Sequence, residues 1–295
     1  MDVGLILPMG DDARPGIPVS YRSILGLARD AQEAGLDSLW VYDHLLTVED
    51  GAGVNGPWEA LTLLSALAAS TASIRLGTLV CCTTFRHPAL LAKTAHTLQE
   101  ISGGRLVLGV GAGWHEPEYR AFGYPFDRRV DRFAEAVEII ATLLRDGRMS
   151  FAGEFHTLTD CVLLPPLSDP AWRTPILVAG RRPRMLRLTA RWADAWNTAW
   201  YGRPDARFAA VRDELSAACE AQRRDPASLD VTVGMSIGGT DRPGGVPLVS
   251  VAIAEALAAW QQLGVTEVIC SPDPPDRAGL DVLVAGVHQF RAAVR

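Results

Sequence analysis

The sequence lacks the features that would place it among membrane or nucleic-acid-binding proteins. No apolar run approaches the ~20 residues that a membrane-spanning helix needs, and no basic-then-apolar segment opens the chain. Acidic residues outnumber basic ones, and the resulting net charge of -6 argues against general nucleic-acid binding. We therefore expect a cytoplasmic protein whose partner is a small molecule, with neither nucleic acid nor membrane involved; a homodimer is left open.

Disulfide and metal patterns are missing as well. The five cysteines show no framework spacing, and the adjacent Cys81 and Cys82 suit neither an ordinary disulfide nor a CxxC metal site. His115-Glu116 lacks the second histidine of an HExxH helix, and no strand carries an HxH pair. These gaps predict no metal site and count against a metal-dependent hydrolase. Neither a GxSxG nor a GxxxxGK(S/T) loop is present.

One glycine-rich stretch, "GVGAGWHEPEY" at 109–119, invites comparison with the dinucleotide-binding fingerprint. That fingerprint needs glycine at its first, third and sixth positions and then a helix. Trp114 occupies the sixth position here, and Pro117 follows where a clean helical start is expected. The fingerprint therefore fails. Glycines at the end of a strand can let a flat group approach the backbone or can simply form a tight turn, and the residues alone leave both readings open.

Apolar strand-like runs alternate with helical patterns along the whole chain. With 48% hydrophobic residues, 295 residues can bury one large core or two small ones. Eight strand-plus-helix units favour an α/β protein of the (β/α)8 TIM-barrel type over a doubly wound sheet. We predict a single barrel domain over 1–295, with a hairpin-like insertion at 146–174 after the fourth unit. The predicted strands are 3–7, 36–42, 74–80, 105–111, 175–180, 194–199, 230–236 and 265–271.

The same stretches carry a resemblance to a known family. "WVYDHLL", the segment from "LGTLVCCTTF" through "GVGAGWHEPEYRAFGYPFDRR", "GEFHTL" and "TPILVAGRRPRMLRLTARWADAWNT" resemble, in this order, the bacterial luciferase-like superfamily. The coenzyme F420-dependent oxidoreductase branch is the nearest match. The resemblance implies hydride transfer between the deazaflavin F420 and a small substrate, in the direction of an F420H2-dependent reductase.

The resemblance also implies a site at the carboxyl ends of the strands. His44 would move a proton, and Asp43 would contact the cofactor ring or orient the histidine. The Leu79–Val80 peptide matches the family's cis bond under the ring, and the Cys82 thiol is interpreted as packing. The cofactor phosphate would lie at "AGRR", where glycines usual in the family are replaced by arginines. The cofactor-binding residues are thus Asp43, Leu79, Val80, Cys82, Gly111, Gly113, Ala179, Gly180, Arg181, Arg182 and Thr198.

The substrate pocket departs from the sugar-phosphate dehydrogenases of the family. Their tryptophan after the histidine and their glutamate after the glycine strand are replaced by Val48 and Trp114. Met9, Trp114, Trp200 and Met235 would give an apolar pocket for a hydrophobic or conjugated substrate. Two alternatives remain: a monooxygenase that uses reduced FMN, O2 and a separate flavin reductase, and a flavin-binding protein without turnover.

Overall fold

The apolar runs form the strands of a closed parallel barrel in the computed structural model of the protein, which describes residues 1–11, 19–49, 53–239 and 244–294. Between successive barrel strands at least one helix returns the chain to the amino-terminal end of the barrel, the arrangement that parallel pairing requires. Within those ranges the strands are β1 Asp2–Ile6, β2 Ser38–Val41, β3 Thr47–Glu49, β4 Gly53–Asn55, β5 Arg75–Thr78, β6 Cys81–Cys82, β7 Leu106–Gly111, β8 Arg148–Ala152, β9 Thr157–Val162, β10 Ile176–Ala179, β11 Ala195–Tyr201, β12 Asp230–Ile237 and β13 Glu267–Pro272.

The helices of the described residues cover the outside of this barrel. They are α1 Tyr21–Glu33, α2 Ala60–Ser70, α3 Pro88–Ser102, α4 Glu116–Phe122, α5 Arg129–Asp146, α6 Pro183–Trp192, α7 Ala206–Ala221, α8 Ser250–Gln262 and α9 Arg277–Val294. Their boundaries follow local signals in the sequence. Helix α3, for example, has Pro88 in its first turn, and it ends at Gly103, which adopts a left-handed conformation with φ of 66°.

Eight of the strands close the barrel, as predicted. Their order is β10-β11-β12-β13-β1-β2-β5-β7, and β7 pairs with β10 to complete the circle. All these pairs are parallel, so every carboxyl end lies at the same mouth. The prediction of a (β/α)8 barrel is therefore confirmed. The insertion after the fourth unit is the antiparallel hairpin of β8 and β9, and the short antiparallel pair of β3 and β4 was not predicted.

A tryptophan fills part of the barrel interior below the mouth. Trp40 of β2 is 1% exposed and packs with Leu177, Ala195 and Ile269 from three other strands. Its ring occupies space that glycines leave free. A Cβ atom on Gly77 would lie 2.4 Å from the ring atom Cζ3, and one on Gly4 would lie 2.8 Å from Nε1. Gly77 is therefore required by the size of this ring, and Gly4 is required by the ring together with the Ser38 hydroxyl, which lies closer still to a Cβ atom at that position.

Beneath Trp40, a buried carboxyl group belongs to the first residue of β13. Glu267 is 6% exposed; its Oε1 accepts hydrogen bonds from the Ser38 hydroxyl and, at 3.2 Å, from Trp40 Nε1. Arg75 lies 3.6 Å from Oε2. Burial nevertheless raises the pKa of Glu267, because these contacts offset only part of the desolvation.

We expect Glu267→Gln to change the pH dependence of stability. Between the ordinary glutamate pKa and the raised one, the folded protein holds a proton that the unfolded chain has released. The free energy of unfolding therefore falls as pH rises through that interval. Glutamine cannot titrate, so the variant should gain stability relative to the parent as pH rises above the ordinary glutamate pKa. Urea unfolding at a series of pH values measures this. Glu214→Gln, on the exposed side of α7, is the control, and parallel pH curves for parent and Glu267→Gln would contradict the expectation.

Candidate active site

The carboxyl ends of the barrel strands surround a cleft of about 670 Å³. Every residue that the sequence predicted as a cofactor contact lines it, together with His44. The Leu79–Val80 peptide is cis, and a second non-proline cis peptide, Ala199–Trp200, borders the same cleft. The other lining residues are Tyr42, Ala112, Trp114, Glu118, Arg129, Val130, Met185, Asn197, Ala199 and Trp200.

His44 is held by a buried glutamate that the sequence did not indicate. Its Nδ1 lies 3.0 Å from Oε1 of Glu118, which is 1% exposed. The second oxygen of Glu118 accepts the N–H of Leu45 at 2.8 Å, so both carboxylate oxygens are engaged. A neutral His44 that donates from Nδ1 keeps a lone pair on Nε2, which can then take a proton. Glu118 thus determines which nitrogen of His44 is available.

Glu118 was missed because the helix that carries it was missed. Pro117 was interpreted as a break, whereas it lies in the first turn of α4, where a proline is well tolerated. The acidic residues of that turn were the signal that could have indicated a helix start. The expectation that the chain has no clean helical start after the glycines is therefore wrong.

Asp43 supports the floor of the cleft, and the expectation that it orients His44 needs correction. Its Oδ2 accepts the N–H of Cys82 at 2.9 Å and a bond from Arg86 Nη1 at 2.6 Å, while Oδ1 accepts Arg86 Nη2 at 2.9 Å. Arg86 also pairs with Glu59. The carboxylate, 4% exposed, is thus committed to the chain's own groups. Its edge still borders the cleft.

The glycines of 109–113 make room for the protein itself. A Cβ atom on Gly109 would lie 1.9 Å from the carbonyl oxygen of Thr78, and one on Gly113, whose φ is 72°, would lie 1.8 Å from the Tyr119 hydroxyl. That hydroxyl donates to the carbonyl of Ala112 at 2.9 Å and contacts Cys82 Sγ. Close packing at the strand end therefore accounts for these glycines, and a cofactor is not needed to explain them. Burial raises the pKa of the Cys82 thiol to about 11, so it remains protonated at neutral pH, as packing implies.

One end of the cleft is suited to an anion. Helix α6 starts at Pro183 directly after Arg181 and Arg182, and no side chain caps its first N–H groups. The start of α5 contributes Arg129 to the same wall, a residue that the sequence did not indicate. The Arg129 guanidinium lies 3.7 Å from the centre of the Phe126 ring, which positions it. Arg184 and Asp131 form an ion pair that joins the two helix starts.

A second cleft, of about 510 Å³, adjoins the first at His44. Trp114 and Trp200 border both clefts, as their predicted role requires. Met9 and Met235 do not: both are 0% exposed, and neither lines either cleft. Met9 instead lies in the core, where its sulfur contacts the N–H of Tyr42 at 3.1 Å. The prediction of an apolar pocket built on these two methionines is therefore corrected.

The described part of the chain offers neither a metal site nor a membrane-spanning helix. Within it, no group of three or more His, Cys, Asp or Glu side chains is placed to hold a metal ion. None of its helices combines the length and the apolar content that crossing a membrane requires.

Comparison with known proteins identifies the family. Residues 1–241 match the luciferase-like monooxygenase family, and the chain therefore belongs to it. An F420-dependent hydroxymycolic acid dehydrogenase of Mycobacterium tuberculosis is 34% identical over 207 residues, which cover 68% of this chain and 55% of that protein. An F420-dependent glucose-6-phosphate dehydrogenase of Kineococcus radiotolerans is 31% identical over 73% of this chain and 64% of its own length. The matched segment thus spans about half to two thirds of these relatives.

Solved structures share the fold over nearly the whole chain. An F420-dependent secondary alcohol dehydrogenase, solved with an F420-acetone adduct, has a TM-score of 0.79 at 18% identity and covers 98% of this chain and 99% of its own. A riboflavin lyase with modified FMN has the same TM-score at 14% identity, covering 99% of this chain and 92% of its own. At such identities the likeness concerns the barrel alone.

We expect Arg86→Ala to destabilise the protein by about 3–5 kcal/mol, because it leaves the buried Asp43 carboxylate without its cation. Chemical denaturation measures the loss, and adding Asp43→Asn should recover part of it. Arg120→Ala is the matched control. Its i,i+4 pair with Glu116 is exposed and should contribute less than about 1 kcal/mol. Equal, small effects of the two arginine substitutions would show that Asp43 does not depend on Arg86.

Proposed function

We propose that the protein is a coenzyme F420-dependent oxidoreductase that works as a reductase on a small molecule. The observation that carries the proposal is the layout of one cleft. The cleft is lined by arginines at the starts of α5 and α6, by the uncharged residues Leu79, Val80 and Ala112, and by the His44–Glu118 pair. This layout fits a ligand with a flat ring and an anionic tail, whose reactive edge lies beside a proton carrier. The F420-dependent relatives support the same cofactor.

The residues present fit that cofactor. The phosphate would be held by the N–H groups at the start of α6 and by the guanidinium groups of Arg181, Arg182 and Arg129. Leu79 and Val80 on one side, with Ala112 and its flanking glycines on the other, offer a floor for the ring. A reduced deazaflavin bound there supplies a hydride, and the protein's part is to orient both reactants and exclude water.

The proton is assigned to His44. Glu118 holds Nδ1 and leaves Nε2 to exchange a proton with the substrate, as a general acid or base must. Asp43 acts indirectly by holding Cys82 and the floor in place.

A second candidate function is an FMN-dependent monooxygenase. Pyrimidine monooxygenase RutA from Escherichia coli is 35% identical over 141 residues, which cover 46% of this chain and 38% of that protein. This function needs reduced FMN, O2 and a separate reductase. A flavin-binding protein without turnover is less well supported, because such a protein gives no role to the buried Glu118 that holds His44 at the cleft.

We expect the double variant Arg181→Ala/Arg182→Ala to bind F420 more weakly by about 1–3 kcal/mol, the contribution typical of charge-assisted hydrogen bonds. Fluorescence titration of the purified protein with F420 measures the loss. Arg187→Ala, which removes an exposed arginine of the same helix that does not line the cleft, serves as control.

FMN is titrated in parallel with F420. The proposal requires F420 to bind at least about tenfold more tightly, which corresponds to ~1.4 kcal/mol. Equal or tighter binding of FMN would favour the monooxygenase. An unchanged F420 affinity in the double variant would remove the anion site from the proposal.

We expect His44→Ala to lower turnover by ~10²–10⁴-fold, the usual effect of removing a general acid or base. Cofactor affinity should change little, because the anion site and the floor lie elsewhere in the cleft. The substitution should also remove the limb of the pH profile that histidine protonation produces, and Glu118→Gln should alter that limb while retaining a side chain that can accept from Nδ1.

The rate is followed through the absorbance of reduced F420 with a panel of C=C, C=N and C=O acceptors. His96→Ala provides the control, since His96 lies on α3, lines neither cleft, and hydrogen-bonds through Nε2 to the carbonyl of Pro165. If His44→Ala retains most of the turnover with the same pH profile, His44 only shapes the pocket and does not transfer the proton. Failure of the parent protein to reduce any acceptor would count against the oxidoreductase itself.

A further inference from the structure

The two clefts at the barrel mouth carry opposite charge. The first has Arg129, Arg181 and Arg182 at one end, and its acidic members, Asp43 and Glu118, are engaged by other groups of the protein. The second cleft contains no lysine or arginine among its described lining residues, and its charged member is Asp273. An anionic cofactor is therefore attracted to one side of His44, while the other side repels anions.

The backbone around Asp273 is fixed, and its carboxylate faces a space kept clear by glycine. Asp273 follows Pro272 at the end of β13, and its N–H donates to the carbonyl of Ile237 on β12 at 2.8 Å. A Cβ atom on Gly239 would lie 3.0 Å from Oδ2 of Asp273. Among the described residues no cation forms an ion pair with this exposed carboxylate. It is thus available to a ligand in the second cleft.

Aromatic rings complete the cleft. Trp114, which is 68% exposed and meets His44 edge-on with 5.5 Å between ring centres, forms part of its wall. Trp200 and Tyr42 form further parts. Aromatic faces attract cations, and a nearby carboxylate adds to this attraction. A phosphate or carboxylate group would instead meet a negative charge with no compensating cation among the described lining residues.

We propose that the second cleft binds a substrate that carries a positively charged nitrogen, and that Asp273 is the residue that selects for it. The inference rests on the proposed function, since it takes the first cleft to hold the anionic cofactor. It replaces the hydrophobic or conjugated substrate expected from the sequence, because Met9 and Met235 are buried and only Trp114 and Trp200 of the four expected pocket residues line the cleft.

The test compares probes of equal shape and different charge. Benzyltrimethylammonium, its neutral carbon isostere neopentylbenzene, and phenyl phosphate are titrated calorimetrically into the full-length protein loaded with F420. The cation should bind about five- to tenfold more tightly than the isostere, and phenyl phosphate should bind most weakly. The preference should shrink with added salt, because the carboxylate is exposed. Asp273→Asn should reduce the preference about threefold or more.

Asp213→Asn is the matched control, because it removes one exposed negative charge from α7 and lines neither cleft. The inference is overturned if the isostere binds as tightly as the cation, if phenyl phosphate binds best, or if Asp273→Asn keeps the full preference. F420 affinity, measured in the same preparations, distinguishes failure of the proposed function from failure of the inference about Asp273. Absence of F420 binding in the parent protein refutes the proposed function, whereas F420 binding without a cation preference refutes only the selection by Asp273.

Discussion

The barrel mouth depends on the pairing of one buried carboxylate. Asp43 follows β2, and its hydrogen-bond partners, Cys82 and Arg86, belong to the segment that follows β5. A buried charge costs several kcal/mol unless it is paired and hydrogen-bonded, so the folded state strongly favours the arrangement that supplies both partners. That arrangement places the Leu79–Val80 peptide against the cleft. The shape of the floor is thus determined by a contact between two neighbouring strand ends.

Contacts between separate elements also position the other functional groups at the mouth. His44 immediately follows Asp43 and uses a different partner, Glu118 on α4, so adjacent residues are held from two separate elements. The anion site is built from the starts of α5 and α6, which an ion pair between Arg184 and Asp131 connects. Each functional group lies on a strand end or a helix start, and these are the parts of a barrel that can differ between proteins without disturbing its core.

The fold could be predicted from the sequence because its signals are local. Apolar runs such as 105–111 and the stop at Gly103 are visible within a few residues. The site was harder to predict from the sequence. Glu118 reaches His44 across 74 residues, a separation that no periodicity encodes. Met9 and Met235 lie at strand ends, where the sequence cannot tell whether a side chain turns into the cleft or into the core. The anion site was predictable only in part. Arg181 and Arg182 precede a helix start that is visible in the sequence, whereas Arg129 joins them only through the packing of α5 against α6.

The fit of Trp40 against Gly4 and Gly77 has an evolutionary consequence. Gly77 cannot acquire a side chain while the indole is present, and Gly4 cannot while the indole and the Ser38 hydroxyl are present; loss of the indole alone would leave a cavity beside both glycines. Substitutions around Trp40 therefore require concerted replacements on β1, β2 and β5. The cleft-facing side chains of the mouth lie outside this coupling, so substrate preference can diversify in a lineage while the barrel interior around Trp40 stays unchanged.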